Sequence, residues 1–142
     1  MGIFGILSHI LCYDIWYYVS HICLHHKSLY WIHKRHHETH PMNLNYKDAH
    51  HTHVLETIVQ PLGVFVPCFF YKFSTSSITI AYIIIIIRGA THHDDRFSWL
   101  KGNHHILHHR YPCYNYGEYW LDTLFRTRCP VQRQYIYGKV YT

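Results

Sequence analysis

Charge is scarce in this chain. Asp, Glu, Lys and Arg make up 15% of its 142 residues, against roughly 25% in an average soluble domain. With only 8 acidic residues, an acidic disordered tail is excluded. The five cysteines, Cys12, Cys23, Cys68, Cys113 and Cys129, contain no C-x-x-C pair and are odd in number. No disulfide framework is therefore expected, and a reducing compartment fits better. The Cys-Cys-His-His spacing of classical zinc fingers is missing. No elbow motif surrounds a serine or cysteine nucleophile. The N-terminus lacks the basic start and small-residue cleavage site of a signal peptide. The length allows one domain, expected to span residues 1–142.

What is abundant is equally specific. Apolar residues reach 49%, and histidine occupies 17 of the 142 positions, several times its usual share. The apolar residues are bunched into three runs: Gly2 to about Leu24, about Val54 to Tyr71, and about Ser76 to Gly89. A straight span needs about 20 apolar residues. The first run is long enough, although it carries His9, Asp14 and His21. The second holds Pro61, Gly63 and Pro67, the third an unbroken Ile83–Ile87, and the link around Lys72 is tiny. Together they read as a tight helical hairpin that dips into or just fills a bilayer. Core helices of a soluble protein are the competing reading. A buried five-isoleucine strand would need two covering layers that little remaining chain could supply.

Topology supports the membrane reading. If the runs end near Leu24, begin near Val54 and end near Gly89 on one side, only Lys72 of the 13 Lys and Arg falls on the far side. The basic side is then cytoplasmic. All histidines except His9 lie at or beyond that face. The formal charge of +5 is compatible with anionic lipid, nucleic acid or an acidic protein partner. Membrane orientation already accounts for it, so nucleic-acid binding is not expected.

Three histidine clusters have regular spacing: His21-x-x-x-His25, His33-x-x-His36-His37 and His105-x-x-His108-His109. Residues three and four apart share a helix face, so each cluster can aim several imidazoles at one ion. One H-x-x-x-H arises often by chance, whereas three boxes on one membrane side do not. These eight positions supply ligands for two ions, and a ninth ligand could come from His92 or His93. Neutral imidazole suits iron, zinc and copper. Iron with open positions can activate dioxygen, whereas zinc only polarises or activates water. Asp14, Glu38, Asp94, Asp95 and Asp122 are candidates to orient the rings through their second nitrogens. His26, His40, His50, His51 and His104 are expected to be solvated or interfacial, and His9 a polar residue in an imperfect span. A passive histidine-rich metal buffer would keep the clusters without chemistry. A zinc-dependent membrane hydrolase would keep them without an electron donor.

From about Asp14 to Thr127 the chain resembles the fatty acid hydroxylase superfamily, which includes sterol desaturases and sterol methyl oxidases. The run from His21 to Glu38 is similar to the boxes H-R-x-x-H and H-K-x-H-H-E. His53-Val54-Leu55-Glu56-Thr57 is similar to the H-P-L-E-T of sterol methyl oxidases, the nearest pattern. His104 to His109 is similar to H-H-x-x-H-H. Asn115-Tyr116-Gly117 with Trp120 to Thr127 is similar to N-Y-G followed by W-x-D-x-L-F-G-T. The sequence departs from the pattern at Ile22 (Arg), at Val54 (Pro) and at Arg126 (Gly). Arg88 stands where some members have a further histidine, and the spacing from His25 to His33 looks one residue short.

The resemblance implies an all-α integral membrane protein whose helices anchor a cytoplasmic helical cap with a di-metal site. It implies His21, His25, His33, His36, His37, His92, His105, His108 and His109 as ligands. His53, His93, Asp122 and Asn115 would be further ligands or supports of the ligands. It implies two iron ions (zinc possible as isolated), dioxygen as co-substrate and an electron donor such as cytochrome b5. The reaction would oxidise a C–H bond of a fatty acyl chain or sterol. The endoplasmic reticulum or a host-type internal membrane is the expected location, with the site facing the cytoplasm. Phe65, Phe69, Phe70 and Tyr71 would help form a lipid-access surface. Family members usually carry a further N-terminal span, which a homo-oligomeric partner could supply. A truncated, inactive metal-binding scaffold is the alternative.

Overall fold

A computed structural model describes residues 2–72 and 74–140. Among them there are helices and turns but no strand. The long first helix, α1, spans Gly2–His25, and α2 is a single turn, Tyr30–His33, continued as a 3₁₀ turn over Lys34–His37. Helix α3 covers Val54–Val59 and runs directly into a 3₁₀ segment, Gln60–Phe69. Then come α4 (Thr75–His92), α5 (Ser98–Lys101), α6 (His104–Arg110) and α7 (Tyr119–Leu124).

Helices α1 and α4 are each long and apolar enough to cross a membrane. At 1.5 Å per residue they measure about 36 and 27 Å. Ile3, Phe4, Leu7, Leu11, Ile15 and Val19 face outward from α1, and Ile80, Ile83, Ile84 and Ile87 from α4. Only 22% and 17% of their most apolar stretches are buried, whereas core helices of a soluble domain would bury theirs. A continuous apolar exterior of this kind is rare on a soluble monomer.

The second apolar run is not a regular α-helix. Pro61 and Pro67 have no N–H to donate, and a prolyl ring inside a helix clashes with the carbonyl four residues earlier. The segment tightens into a 3₁₀ path instead, longer than such helices usually run. It lies against α1. A Cβ at Gly63 would sit 2.6 Å from the Trp16 Cβ, so glycine there sets the closeness of approach. Trp16 Nε1 donates to the Val59 carbonyl at 2.9 Å, and buried His9 meets the Val64 carbonyl at 2.6 Å. His9 thus ties one apolar segment to another. Ser74 caps α4 by accepting from the Ser77 N–H. Phe65, Phe69, Phe70 and Tyr71 are exposed towards this tip.

Buried polar residues outnumber buried apolar ones, and most of the polar ones belong to the histidine-rich cap. The inner ends of α1 and α4 converge there with α2, α6 and the loop before α7. A buried ion pair links α1 to α4: Arg88 bonds both Asp14 oxygens. The Arg88 Nε also faces Glu118 at 3.0 Å.

Candidate metal centre

The histidines separate into two groups of converging nitrogens. His21, His25, His33, His37 and His108 form one, and His36, His93, His105 and His109 the other. Helices dictate this partition. The H-x-x-H-H box ending α2 sends its outer pair, His33 and His37, to the first group and His36 to the second. The box in α6 does the reverse, sending His105 and His109 to the second group and His108 to the first. Each box therefore serves both groups, and the two groups are held at a fixed separation by two short helical turns.

Within the first group, Nε2–Nε2 separations are 2.9 Å for His21–His33, 3.0 Å for His33–His37, 3.2 Å for His37–His108 and 3.1 Å for His25–His108. In the second, His93 Nε2 stands 3.0 Å from His36 Nε2 and 3.0 Å from His105 Nε2. Two nitrogens at right angles on one ion, each about 2.1 Å from it, lie about 3.0 Å apart.

The outer nitrogens decide what these approaches mean. His21 Nδ1 lies 2.5 Å from the Tyr116 carbonyl, His108 Nδ1 2.7 Å from the Tyr114 carbonyl and His93 Nδ1 2.8 Å from the Gly89 carbonyl. A carbonyl only accepts, so each Nδ1 carries the proton and each neutral ring points a bare Nε2 lone pair inward. Converging lone pairs repel unless a cation lies among them. Both ring nitrogens of His109 are buried without a hydrogen-bond partner, as a ligand's nitrogen would be in the absence of its ion. Burial, reinforced by repulsion between neighbouring rings, holds His33 down to about 2 and His37 to about 3. His36, His105 and His108 are held well below the ordinary range by the same causes. The rings are neutral, the state a metal ligand requires. The residues thus fit two imidazole-rich cation sites.

Asn115 organises the first group without touching it. Its φ is 59°, a left-handed conformation that Asn tolerates better than most residues. Its amide donates to the His104 carbonyl at 2.9 Å, and its Oδ1 accepts from the Cys129 N–H at 2.7 Å and the Tyr135 hydroxyl at 2.9 Å. The flanking residues Tyr114 and Tyr116 are the ones whose carbonyls hold His108 and His21. Fully buried Asp122 fixes the same loop. It accepts from the Tyr116 and Gly117 N–H groups, both at 2.9 Å, and from the Thr127 hydroxyl at 2.6 Å.

Several sequence expectations change. His92 belongs to neither group, and His93 takes the place assigned to it. Successive helical residues point about 100° apart, and it is the residue at the C-cap of α4 that reaches the cap. His53 joins neither group either. Its Nδ1 accepts from the Leu55 N–H and caps α3, while its ring packs on Trp31. His104 is buried, not solvated, and faces Asp122 at 3.0 Å. Of the acids expected to orient ligand rings, Asp14 pairs with Arg88. Asp94 pairs with Arg96, Asp95 accepts from Ser98 and Glu38 faces His51 at the surface. The carboxylate that does face a ligand ring is Glu56, with Oε1 2.8 Å from His33 Nδ1. A lone acid in an otherwise apolar run was the signal for it.

A family model described as fatty acid hydroxylase matches residues 6–127. The chain belongs to the fatty acid hydroxylase family. No similar curated protein and no similar solved structure was found. Family membership makes this a domain of the lipid hydroxylase and desaturase type, and such domains are typically metal-dependent. The departures from the hydroxylase pattern now have a structural reading. Arg126 occupies the pattern's glycine with φ 59°, which accounts for a glycine there. Arg88 replaces a histidine but is held by Asp14 and Glu118, and the second group gathers four rings without it. Ile22 lies on the exposed face of α1, away from both groups.

A cavity of about 240 Å³ adjoins the second group. His36, His93 and His105 line it, together with apolar residues that include Pro61, Ile85 and Ile86. Phe65, Phe69, Phe70 and Tyr71 do not line it.

Proposed function

We propose that this chain is a membrane-embedded oxidoreductase that uses two iron ions and dioxygen to oxidise a C–H bond of a fatty acyl chain or sterol. The observation that carries this reading is the junction of the second histidine group with a mostly apolar cavity. An ion bound by His36, His93, His105 and His109 would be next to a space that suits a lipid. Iron at the two groups would supply the binding and reductive activation of dioxygen.

The protein's own residues do the rest. The carbonyls of Tyr114, Tyr116 and Gly89 keep three ligand rings in the tautomer that offers Nε2 inward. Glu56 steadies His33. Buried rings and the packed cap exclude water, and the cavity wall positions the reacting carbon. Helices α1 and α4 would fix the cap at the face of an internal membrane such as the endoplasmic reticulum, cytoplasm side outward by the distribution of Lys and Arg. Exposed basic residues on that side would speed encounter with an acidic electron carrier of the cytochrome b5 type.

The test is to incubate the purified protein, reconstituted with iron, a reductase and cytochrome b5, with acyl lipids and sterols under ¹⁸O₂. A product bearing one ¹⁸O atom, or lacking two hydrogens, that disappears in His36→Ala supports the reading. Reduced carrier consumed with no lipid product in any class would overturn it.

A further inference from the structure

Besides the histidines, two side chains of the cavity wall each bury a polar atom with no hydrogen-bond partner, Glu56 and Gln60. Glu56 is 4% exposed and Gln60 is 8% exposed. They lie four residues apart, from α3 into the adjoining 3₁₀ turn, and both line the cavity beside His36, His93 and His105. Glu56 uses Oε1 on His33, leaving Oε2 buried and unbonded. Gln60 has one end of its amide 2.9 Å from the Ser20 hydroxyl, and the other end is buried and unbonded. An unsatisfied buried polar group costs about 1–3 kcal/mol, and two on one cavity wall call for a ligand that bonds both.

The charge around them narrows that ligand. Glu56 and Glu118 line the cavity, and the one guanidinium there, Arg88, is already bonded to Asp14 and Glu118. A carboxylate or phosphate entering this space would find that guanidinium already shared between two carboxylates. A hydroxyl meets the requirement because it both donates and accepts: it bonds Glu56 Oε2 in either protonation state of that carboxyl and still accepts from the free Gln60 N–H.

We propose that Glu56 and Gln60 form a positioning pair for the hydroxyl group of an uncharged lipid. The lipid enters with that polar end towards the second histidine group, so oxidation falls near the hydroxyl end of the molecule and not near its terminal methyl. This rests on the lipid-oxidation reading above, but its test needs neither iron nor dioxygen.

The protein, loaded with excess zinc in lipid nanodiscs, is photolabelled with a diazirine analogue of hexadecanol, and labelled peptides are mapped by mass spectrometry. Unlabelled hexadecanol, hexadecane and hexadecanoic acid then compete. Two hydrogen bonds predict that hexadecanol competes about tenfold or more better than either of the others. Gln60→Leu should shrink that preference to about threefold or less with cavity labelling retained. Glu56→Leu should shrink it likewise, whereas Glu56→Gln, which keeps a hydrogen-bonding group at that place, should retain most of it, a distinction that loss of packing would not produce. Retained metal in each variant reports an intact fold. Equal competition by hexadecane or the acid in the unsubstituted protein overturns the proposal, as does an alcohol preference undiminished in Gln60→Leu. If labelling behaves as expected while no oxidised lipid forms under ¹⁸O₂, the hydroxyl site stands and the oxidation reading falls.

Discussion

The two histidine groups share two boxes yet differ in how tightly they are held. The first draws five rings, with His21 and His108 clamped by backbone carbonyls and His33 set against Glu56. The second draws four rings, of which only His93 is clamped by a carbonyl, and its rings form a cavity wall. A ligand fixed through its second nitrogen holds its metal more tightly. The comparison teaches a division of labour. On the proposed reading, the first group would lock the cap together, while the second would keep room beside it for a reacting molecule, as catalytic metal sites do.

Removing metal should test this division most severely. A folded-state ligand present at about a thousand times its Kd contributes about 4 kcal/mol. Stripping metal with a chelator should therefore lower the thermal midpoint by about 10 °C or more, as followed by circular dichroism in detergent. His109→Ala, in the second group, should cost less than half that shift. Equal shifts would erase the distinction between the groups.

Asn115 offers the next largest effect. Asn115→Ala removes three hydrogen bonds of a fully buried side chain and leaves a left-handed alanine. A loss of about 2–4 kcal/mol is expected from chemical denaturation. Because the Tyr114 and Tyr116 carbonyls would shift with it, metal should weaken at the first group before the second, which competition with a graded series of chelators would resolve.

Acidification follows from the buried rings. His33 and His37 are held to about 2 and about 3, whereas free imidazoles titrate near 6.5. Below about pH 6.5 the unfolded chain binds protons that the folded cap refuses. The stability these rings contribute is thus fully present above that pH and is lost as pH falls towards their folded values. Protons compete with metal in the same direction. Metal should stay bound at pH 7.5 and dissociate between about pH 6 and 4, measured by gel filtration with elemental detection.

The smallest effect concerns neither group. Arg126 is exposed with φ 59°, and a left-handed side chain costs about 1–2 kcal/mol. Arg126→Gly should raise stability by about 0.5–1 kcal/mol, after the greater chain entropy of glycine is offset, with metal content unchanged.

Much of this arrangement was legible in the sequence. The apolar runs marked α1 and α4 to within a few residues, because length and hydropathy are local properties. The box spacings marked eight of the nine rings that converge, because i, i+3 and i+4 neighbours on a helical turn are fixed by its pitch. The ninth was not. His92 and His93 are adjacent, and only the place where α4 ends decides which ring reaches the cap. Likewise Glu56 meets His33 across 23 positions, a distance that no local pattern records. The expectation that i, i+3 and i+4 serve one ion was too simple: each H-x-x-H-H box divides, its outer pair turning to one group and its middle histidine to the other. The second run was expected as one arm of a helical hairpin, but Pro61 and Pro67 turn it onto a 3₁₀ path against α1.

The most direct test of the account is to count metal in the protein purified in detergent, beside His108→Ala from the first group and His36→Ala from the second. Two ions per chain are expected, with His36→Ala retaining about one and His108→Ala retaining one or fewer. Less than one ion per chain, unchanged by either substitution, would contradict the account.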